Sequence, residues 1–223
     1  MSDERVFSEL LSRHFGSIRP LSPLEISRLQ SHYELLVRWN KVLNLTSVRR
    51  VEEAVVRHYC ESLFLAAHLP GEPVSVIDVG SGAGFPGIPL AVLRTDCRVT
   101  LAESHQRKAV FLREATRSYA HVRVEARRAE DIPGSFDWVV ARAVRWERVL
   151  LLARRWVGLL VGQEDAQAIN LSAGFEWLPA VPLPWGRSRV LVRGVRSFVS
   201  QGGSTWNIPE QRSTTSQLVS RGT

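Results

Sequence analysis

The 223-residue sequence is poor in cysteine and contains no long hydrophobic run. Its two cysteines, Cys60 and Cys97, are too few for a disulfide framework, and their spacing matches no metal-binding motif. No apolar stretch reaches the roughly 18 residues typical of a transmembrane helix. The first residues also lack the basic and apolar regions of a signal peptide. We therefore expect a globular protein of the reducing cytoplasm that binds no metal.

Lysine is also scarce, although the chain is strongly basic. Of its 29 basic residues only Lys41 and Lys108 are lysine, and with 22 acidic residues the formal net charge is +7. The planar guanidinium of arginine binds phosphate in two places and stacks on bases. An arginine-rich chain with a nucleoside pocket would suggest a nucleic-acid substrate. Charge alone favours this no more than it favours a solvated arginine-rich surface.

The hydrophobic pattern of residues 1–70 predicts a helical extension at the N-terminus. Apolar residues recur at helical spacing, and Ser22-Pro23-Leu24-Glu25 forms a capping box with proline at the first helical position. We predict a polar loop at 40–50 and a further helix at 52–69.

From residue 71 the pattern changes to alternating strands and helices. This alternation over 71–199 predicts an α/β fold with a doubly wound, mostly parallel, seven-stranded sheet of the Rossmann-like type. Residues 200–223 are rich in Ser, Thr, Gln and Gly and are predicted to be a disordered tail. The predicted strands are 74–79, 98–102, 122–125, 136–141, 157–161, 175–178 and 188–195.

A glycine-rich loop follows the first of these strands. The strand carries Asp78, and the loop continues with Gly80, Ser81, Gly82 and Gly84. Glycines allow the backbone to approach a ligand where a side chain would collide with it. The next strand ends in Glu103 and Ser104, and an acid at that place can accept hydrogen bonds from ribose hydroxyls. The sequence therefore predicts a nucleoside site.

Two cofactors compete for this site. The segment from Gly82 to Gly87 fits the dinucleotide pattern G-x-G-x-x-G. However, Pro86 and Pro89 remove N–H groups at the helix start, where a pyrophosphate would need them. Asp78 adds negative charge, which suits a cationic ligand such as S-adenosylmethionine. We therefore predict S-adenosylmethionine, with a nicotinamide dinucleotide and a strand–turn–helix without ligand as the alternatives.

Six sequence blocks lie in the order and spacing of one known family. They are WNKVLNLT at 39–46, RHYCESL at 57–63, GSGAGFPGI at 80–88, KAVFL at 108–112, RAE at 128–130 and ARA at 141–143. Together they resemble the glucose-inhibited division protein B family, the guanine-N7 methyltransferases of small-subunit ribosomal RNA. The chain departs from the family pattern at Glu61, where aspartate is usual, and at Val161, where lysine is usual.

The resemblance implies S-adenosylmethionine-dependent methylation of a guanine N7 in 16S ribosomal RNA by a monomer. No acid or base is assigned, since N7 needs no deprotonation. The cofactor residues would be Asp78, Gly80, Ser81, Gly82, Gly84, Phe85, Glu103, Ser104, Ala129, Glu130 and Arg142. Substrate-side candidates are Asn44, His58, Glu61 and Arg142, and RNA-binding candidates are Lys108, Arg187 and Arg189. A non-catalytic RNA-binding relative and a methyltransferase of the same fold with another substrate stay open as alternatives.

Overall fold

The computed structural model describes residues 3–72, 74–186 and 188–197. The predicted tail at 200–223 and the RNA-binding candidate Arg187 lie outside these residues.

The N-terminal part is helical, as predicted. It contains α1 (Asp3–Phe15), α2 (Pro23–Leu43), α3 (Val51–Ala54) and α4 (Glu61–Ala67). The capping box at the start of α2 is confirmed: the Ser22 hydroxyl accepts from the Glu25 N–H at 3.3 Å, and the Glu25 carboxylate accepts from the Ser22 N–H at 2.7 Å.

Two predictions for this part were wrong in detail. The loop predicted from residue 40 begins only after Leu43, where Asn44 ends α2 in a left-handed conformation; the buried Asn40 lies within the helix and binds the backbone of Thr46 in the loop. The helix predicted as continuous over 52–69 is interrupted by a π-helical segment, Val55–Cys60, between α3 and α4. Such segments widen a helix locally and are common at functional sites; this one carries His58.

The described residues from 74 onwards form the predicted doubly wound sheet. Its strands are β1 (Ser75–Val79), β2 (Arg98–Ala102), β3 (Val122–Glu125), β4 (Trp138–Arg142), β5 (Trp156–Gly162), β6 (Phe175–Trp177), β7 (Val181–Pro182) and β8 (Arg189–Arg196). Between them lie α5 (Gly87–Leu93), α6 (Gln106–Ala115), a 3₁₀ turn (Ala129–Asp131), α7 (Trp146–Leu152) and α8 (Gln163–Asn170).

The strand order is β3-β2-β1-β4-β5-β8-β6, and the first five strands are parallel. The strand β8 is antiparallel to β5, and both β6 and the two-residue β7 pair with the other edge of β8. Seven positions across the sheet are thus occupied as predicted, with β7 as an additional short strand. The chain reverses its winding direction between β1 and β4, and in such sheets ligands bind outside the carboxyl ends of the strands at this point.

Alternation along the strands builds two cores. Val76 of β1 packs on one face with α1, α2, α4, α5 and α6, whereas its neighbour Ile77 packs on the other with α7 and α8. The N-terminal helices therefore share a continuous core with the sheet, which carries Tyr59 and His58 to the carboxyl ends of the strands.

Candidate functional site

The glycine loop follows β1, at the point where the winding of the sheet reverses. Its first three glycines, Gly80, Gly82 and Gly84, have left-handed backbones. Their φ values are +70° at Gly80, +56° at Gly82 and +91° at Gly84. A Cβ at Gly80 would lie 2.7 Å from Val144, and one at Gly84 would lie 2.4 Å from Ile88. At Gly82 the nearest atom would be 3.7 Å away. A Cβ at Gly80 or Gly84 would therefore collide with a neighbouring side chain, whereas one at Gly82 would make only an ordinary van der Waals contact.

Glu103, at the end of β2, is tied to this loop. One of its carboxylate oxygens accepts from the Gly82 N–H at 2.9 Å, and the other accepts from the His105 N–H at 2.7 Å. The side chain is buried, and the neighbouring Ser104 is exposed. Because a carboxylate has about four acceptor positions, two remain after these bonds. The predicted ribose acceptor thus lies beside Gly82 of the loop.

Asp78 lies beneath the loop. Its side chain is fully buried, and Oδ2 accepts from the Gly87 N–H at 2.9 Å. Its other oxygen, Oδ1, has no hydrogen-bond partner among the described residues. Burial raises the pKa of this carboxyl to about 7. Ser81 donates to the Asp78 carbonyl at 3.0 Å. Asp78 therefore fixes the loop against α5.

The N-terminus of α5 has no N–H group to offer an anion. Gly87 donates to Asp78, and Ile88 donates to the Gly84 carbonyl at 2.8 Å. Pro89 has no N–H at all. A pyrophosphate in a dinucleotide site depends on such groups, so the geometry favours a nucleoside ligand without phosphate over a dinucleotide.

His58 forms the second part of the site. Its Nδ1 accepts from Arg142 Nη1 at 2.9 Å, its Nε2 lies 2.8 Å from Thr46 Oγ1, and its ring stacks on Phe85 of the loop with centroids 4.8 Å apart. Burial, and next the Arg142 charge, lower the pKa of His58 to about 3. The imidazole is therefore neutral at physiological pH.

The two asparagines of the WNKVLNLT block shape the loop that holds Thr46. The amide of Asn40 donates to the Thr46 carbonyl and accepts from the Thr46 N–H, both at 2.9 Å. The substrate-side candidate Asn44 is exposed and ends α2 in a left-handed conformation, with φ of 45°. Asn40 thus fixes the position of Thr46, and Asn44 provides the turn that leads to it.

Glu61 lies below His58, buried between two arginines. Arg189 Nε is 3.1 Å and Arg142 Nε is 3.8 Å from its carboxylate. Desolvation raises the pKa of Glu61 although both arginines oppose this, and desolvation also lowers the pKa of Arg142 to about 10. Arg189 further donates to the Leu160 carbonyl at 3.4 Å. The RNA-binding candidate Arg189 is therefore engaged inside the protein, while Arg142 is held between Glu61 and His58.

The remaining predicted residues lie on neighbouring loops and helices. Ala129 is buried and Glu130 exposed on the 3₁₀ turn after β3, and Lys108 is half-buried on α6. A cavity of about 450 Å³ lies beside this turn. Its lining residues are Arg128, Glu130, Asp131, Arg148 and Leu151. Val161, where the family usually has lysine, is partly buried near the end of β5.

Sequence reasoning missed a buried pair that anchors the loop from below. His32 Nε2 lies 3.0 Å from the Ala83 carbonyl, and His32 Nδ1 lies 2.9 Å from the Tyr59 hydroxyl. A carbonyl can only accept, so we assign the proton to Nε2, and Tyr59 donates to Nδ1. Burial lowers the pKa of His32 to about 4. The sequence offered one signal for this pair: His32 is a polar residue on the apolar face of α2, between Leu29 and Leu36.

In the described part of the chain, no helix combines the length and apolar character needed to cross a membrane. The same residues contain no group of three or more His, Cys, Asp or Glu side chains placed to hold a metal ion.

Comparison with known proteins agrees with this geometry. A protein of Nitrosomonas europaea named ribosomal RNA small subunit methyltransferase G is 38% identical over 71% of this chain and 81% of its own length. A protein of Dichelobacter nodosus with the same name is 40% identical over 78% of this chain and 82% of its own length. A Xanthomonas campestris relative, again with that name, is 45% identical over 52% of this chain and 56% of its own length.

Two solved structures share the fold. A SAM-dependent methyltransferase from Aquifex aeolicus aligns with a TM-score of 0.53 at 15% identity, over 65% of this chain and 93% of its own. The pyocyanin biosynthetic protein PhzM aligns with a TM-score of 0.57 at 13% identity, over 74% of this chain and 62% of its own.

The family model described as GidB, rRNA small subunit methyltransferase G, matches residues 25–155, a span that includes the glycine loop, Glu103, His58 and Arg142. Since that match covers more than half of the chain and the relatives carry the same name, this protein belongs to the GidB family.

Proposed function

We propose that this protein transfers a methyl group from S-adenosylmethionine to N7 of a guanine in small-subunit ribosomal RNA, acting as a monomer in the cytoplasm. The observation that carries the proposal is the arrangement at the switch point of the sheet. The Gly82 backbone lies next to the Glu103 carboxylate, a Cβ there would make only one van der Waals contact, and the N-terminus of α5 offers no N–H group to a phosphate. The RNA substrate is supported by the names of the relatives and by the 27 arginines of the chain.

The cofactor would lie against the loop, beside Gly82 and Glu103. The backbone at Gly80 and Gly82 gives close approach to its methionine and ribose parts, and Glu103 would accept from the ribose hydroxyls. The 3₁₀ turn with Ala129 and Glu130 would meet the adenine. When bound, S-adenosylmethionine supplies an electrophilic methyl group on a sulfonium.

The substrate side needs no general base. Guanine N7 carries a lone pair in the base plane, so catalysis reduces to holding N7 in line with the methyl group. His58 supports this view, because both of its ring nitrogens are occupied, by Arg142 and by Thr46. The guanine must leave its stack to reach the site, which favours a loop region of the RNA.

We also propose that the helical segment 1–70 and the sheet segment 71–199 act as one catalytic unit. Thr46 and His58 come from the first segment and Arg142 and Phe85 from the second, and these four side chains are in contact.

The test uses small ribosomal subunits that lack the methyl mark, incubated with the protein and a labelled methyl donor. We expect label at N7 of a single guanine. Glu103→Ala should abolish the label by weakening cofactor binding, while Glu164→Ala, an exposed acid on α8, serves as the matched control. RNA binding without label would favour the non-catalytic relative. Methyl transfer to another acceptor, with none to RNA, would favour a different substrate.

A further inference from the structure

We infer that Thr46 is a specificity residue, whose hydroxyl donates a hydrogen bond to O6 of the target guanine. The inference rests on the proposed function and names the atom that distinguishes the substrate base. It follows from a chain of hydrogen bonds, Arg142–His58–Thr46, whose direction is fixed at one end.

The direction is set by Arg142. Guanidinium groups only donate, so the contact of 2.9 Å between Arg142 Nη1 and His58 Nδ1 makes Nδ1 an acceptor. The neutral imidazole then carries its proton on Nε2 and donates it to Thr46 Oγ1, 2.8 Å away. The low pKa of His58 agrees with a ring that keeps only this proton.

Thr46 Oγ1 receives a second donor. The Val48 N–H lies 3.1 Å from it, so both acceptor positions of the hydroxyl oxygen are used. Neither Val48 N–H nor His58 Nε2–H can accept the Thr46 proton. The hydroxyl is therefore restricted to donating, away from His58 and Val48.

The hydroxyl is also held in place. Asn40 binds both backbone groups of Thr46 at 2.9 Å, and Thr46 is half-buried, which leaves part of it accessible. His58, which contacts Thr46, stacks on Phe85 of the glycine loop. The His58 ring therefore links the Thr46 hydroxyl to the glycine loop.

A donor at this place selects between purines. When N7 faces the methyl group, the neighbouring group on the same edge of guanine is O6, an acceptor, whereas adenine has an amino donor there. A hydroxyl that can only donate forms a hydrogen bond with O6 of guanine. With adenine, the hydroxyl and the amino group would be two donors facing each other. Sites that depend on such a bond discriminate strongly against the base that cannot form it.

The experiment combines a change in the protein with a change in the base. Subunits are reconstituted with 16S RNA in which the guanine identified by the labelled-methyl assay is replaced by 2-aminopurine, which keeps N7 but lacks O6. Rates at subsaturating substrate are measured for wild type, Thr46→Val and Thr46→Ser. The control is Thr95→Val, at an exposed threonine in the loop between α5 and β2. Calorimetry of cofactor binding checks that the site is intact.

On guanine we expect Thr46→Val to lose about 10-fold in kcat/KM, the effect of one neutral hydrogen bond, and Thr46→Ser to recover most of it. On 2-aminopurine the wild type should lose a similar factor and Thr46→Val should lose nothing further, because each change removes the same bond. An unchanged rate for Thr46→Val on guanine, or losses that multiply when both changes are combined, would overturn the inference. If the wild type labels no guanine, the proposed function fails and this assignment fails with it; labelled guanine with multiplying losses overturns the Thr46 assignment alone.

Discussion

Substitution of single glycines in the loop separates ligand approach from packing. Gly82 and Gly87 lie five residues apart, but a Cβ meets very different surroundings at each. At Gly82 it would lie 3.7 Å from the Gly80 carbonyl oxygen, an ordinary van der Waals contact, whereas at Gly87 it would lie 2.2 Å from Leu101 Cδ2 and 2.6 Å from Asp78 Oδ2. We therefore expect Gly82→Ala to act mainly on cofactor affinity and Gly87→Ala mainly on stability.

For Gly82→Ala the cost to the folded protein is that of the left-handed backbone at this position, with φ of +56°. This conformation costs an L-residue about 1 kcal/mol of folding free energy. In a chain of this size that corresponds to a decrease of about 3 °C in Tm. The added methyl group faces the proposed ligand, so cofactor affinity should fall by about 10-fold or more, a loss of about 1.4 kcal/mol. Gly82→Asp places a second carboxylate next to Glu103 and should remove measurable binding.

For Gly87→Ala the methyl group overpacks the junction between α5 and β2, which costs about 2 kcal/mol and about 6 °C in Tm. The bond from the Gly87 N–H to Asp78 should also weaken. Calorimetric titration with S-adenosylmethionine and thermal unfolding measure both quantities on the same samples. Wild-type affinity in Gly82→Asp would refute the loop assignment. A larger loss of Tm in Gly82→Ala than in Gly87→Ala would refute the packing argument.

Three further predictions concern the buried polar groups. Tyr59→Phe leaves His32 Nδ1 buried without its donor, so urea unfolding should show a loss of about 1–3 kcal/mol. The low pKa of His58 means that the unfolded chain binds a proton below pH 6.5 while the folded protein does not until about pH 3; its contribution to stability is therefore lost as pH falls through this window, by about 2 kcal/mol at pH 5. Between pH 7 and pH 5, His58→Gln should therefore lose less unfolding free energy than the wild type. Urea titrations of both proteins at the two pH values measure these losses, and an equal loss in the two proteins would contradict the assignment. Arg189→Ala leaves the Glu61 carboxylate without its nearer partner, so Tm should fall while the salt dependence of RNA binding stays unchanged; a shallower salt slope with unchanged Tm would instead identify Arg189 as a phosphate contact.

The fold was largely predictable because it depends on periodic patterns. Six of the eight strands were located to within one residue at both ends, whereas the predicted start of β4 was two residues early and β7 was not predicted. Buried strands are short apolar runs bounded by glycine, proline and polar residues, which makes them visible in the sequence. The helix ends were less accurate. Polar residues occupy the last turn of α2, where Asn40 binds the backbone of the following loop, and the π-helical segment around His58 has no periodic signal.

The candidate site was predictable only in part. The glycines and Glu103 stand out because loop geometry and strand ends are local properties of the sequence. His32, Tyr59 and Thr46 were not identified. His32 and Tyr59 bind each other across 27 residues, and Thr46 owes its role to His58, which is oriented by the distant Arg142. His32 meets Ala83 across 51 residues, and His58 meets Arg142 across 84.

The sequence by itself therefore determined the sheet, the glycine loop, the acid after the second strand and the family, because these follow from local pattern and from blocks of fixed spacing. Only the tertiary structure decided that Asp78 lies beneath the loop rather than at its surface, and that Arg189 binds Glu61. It also decided the direction of the hydrogen bonds from Arg142 to Thr46. The physical reason is that burial and hydrogen-bond direction depend on which groups the fold brings together, and no spacing along the chain encodes that.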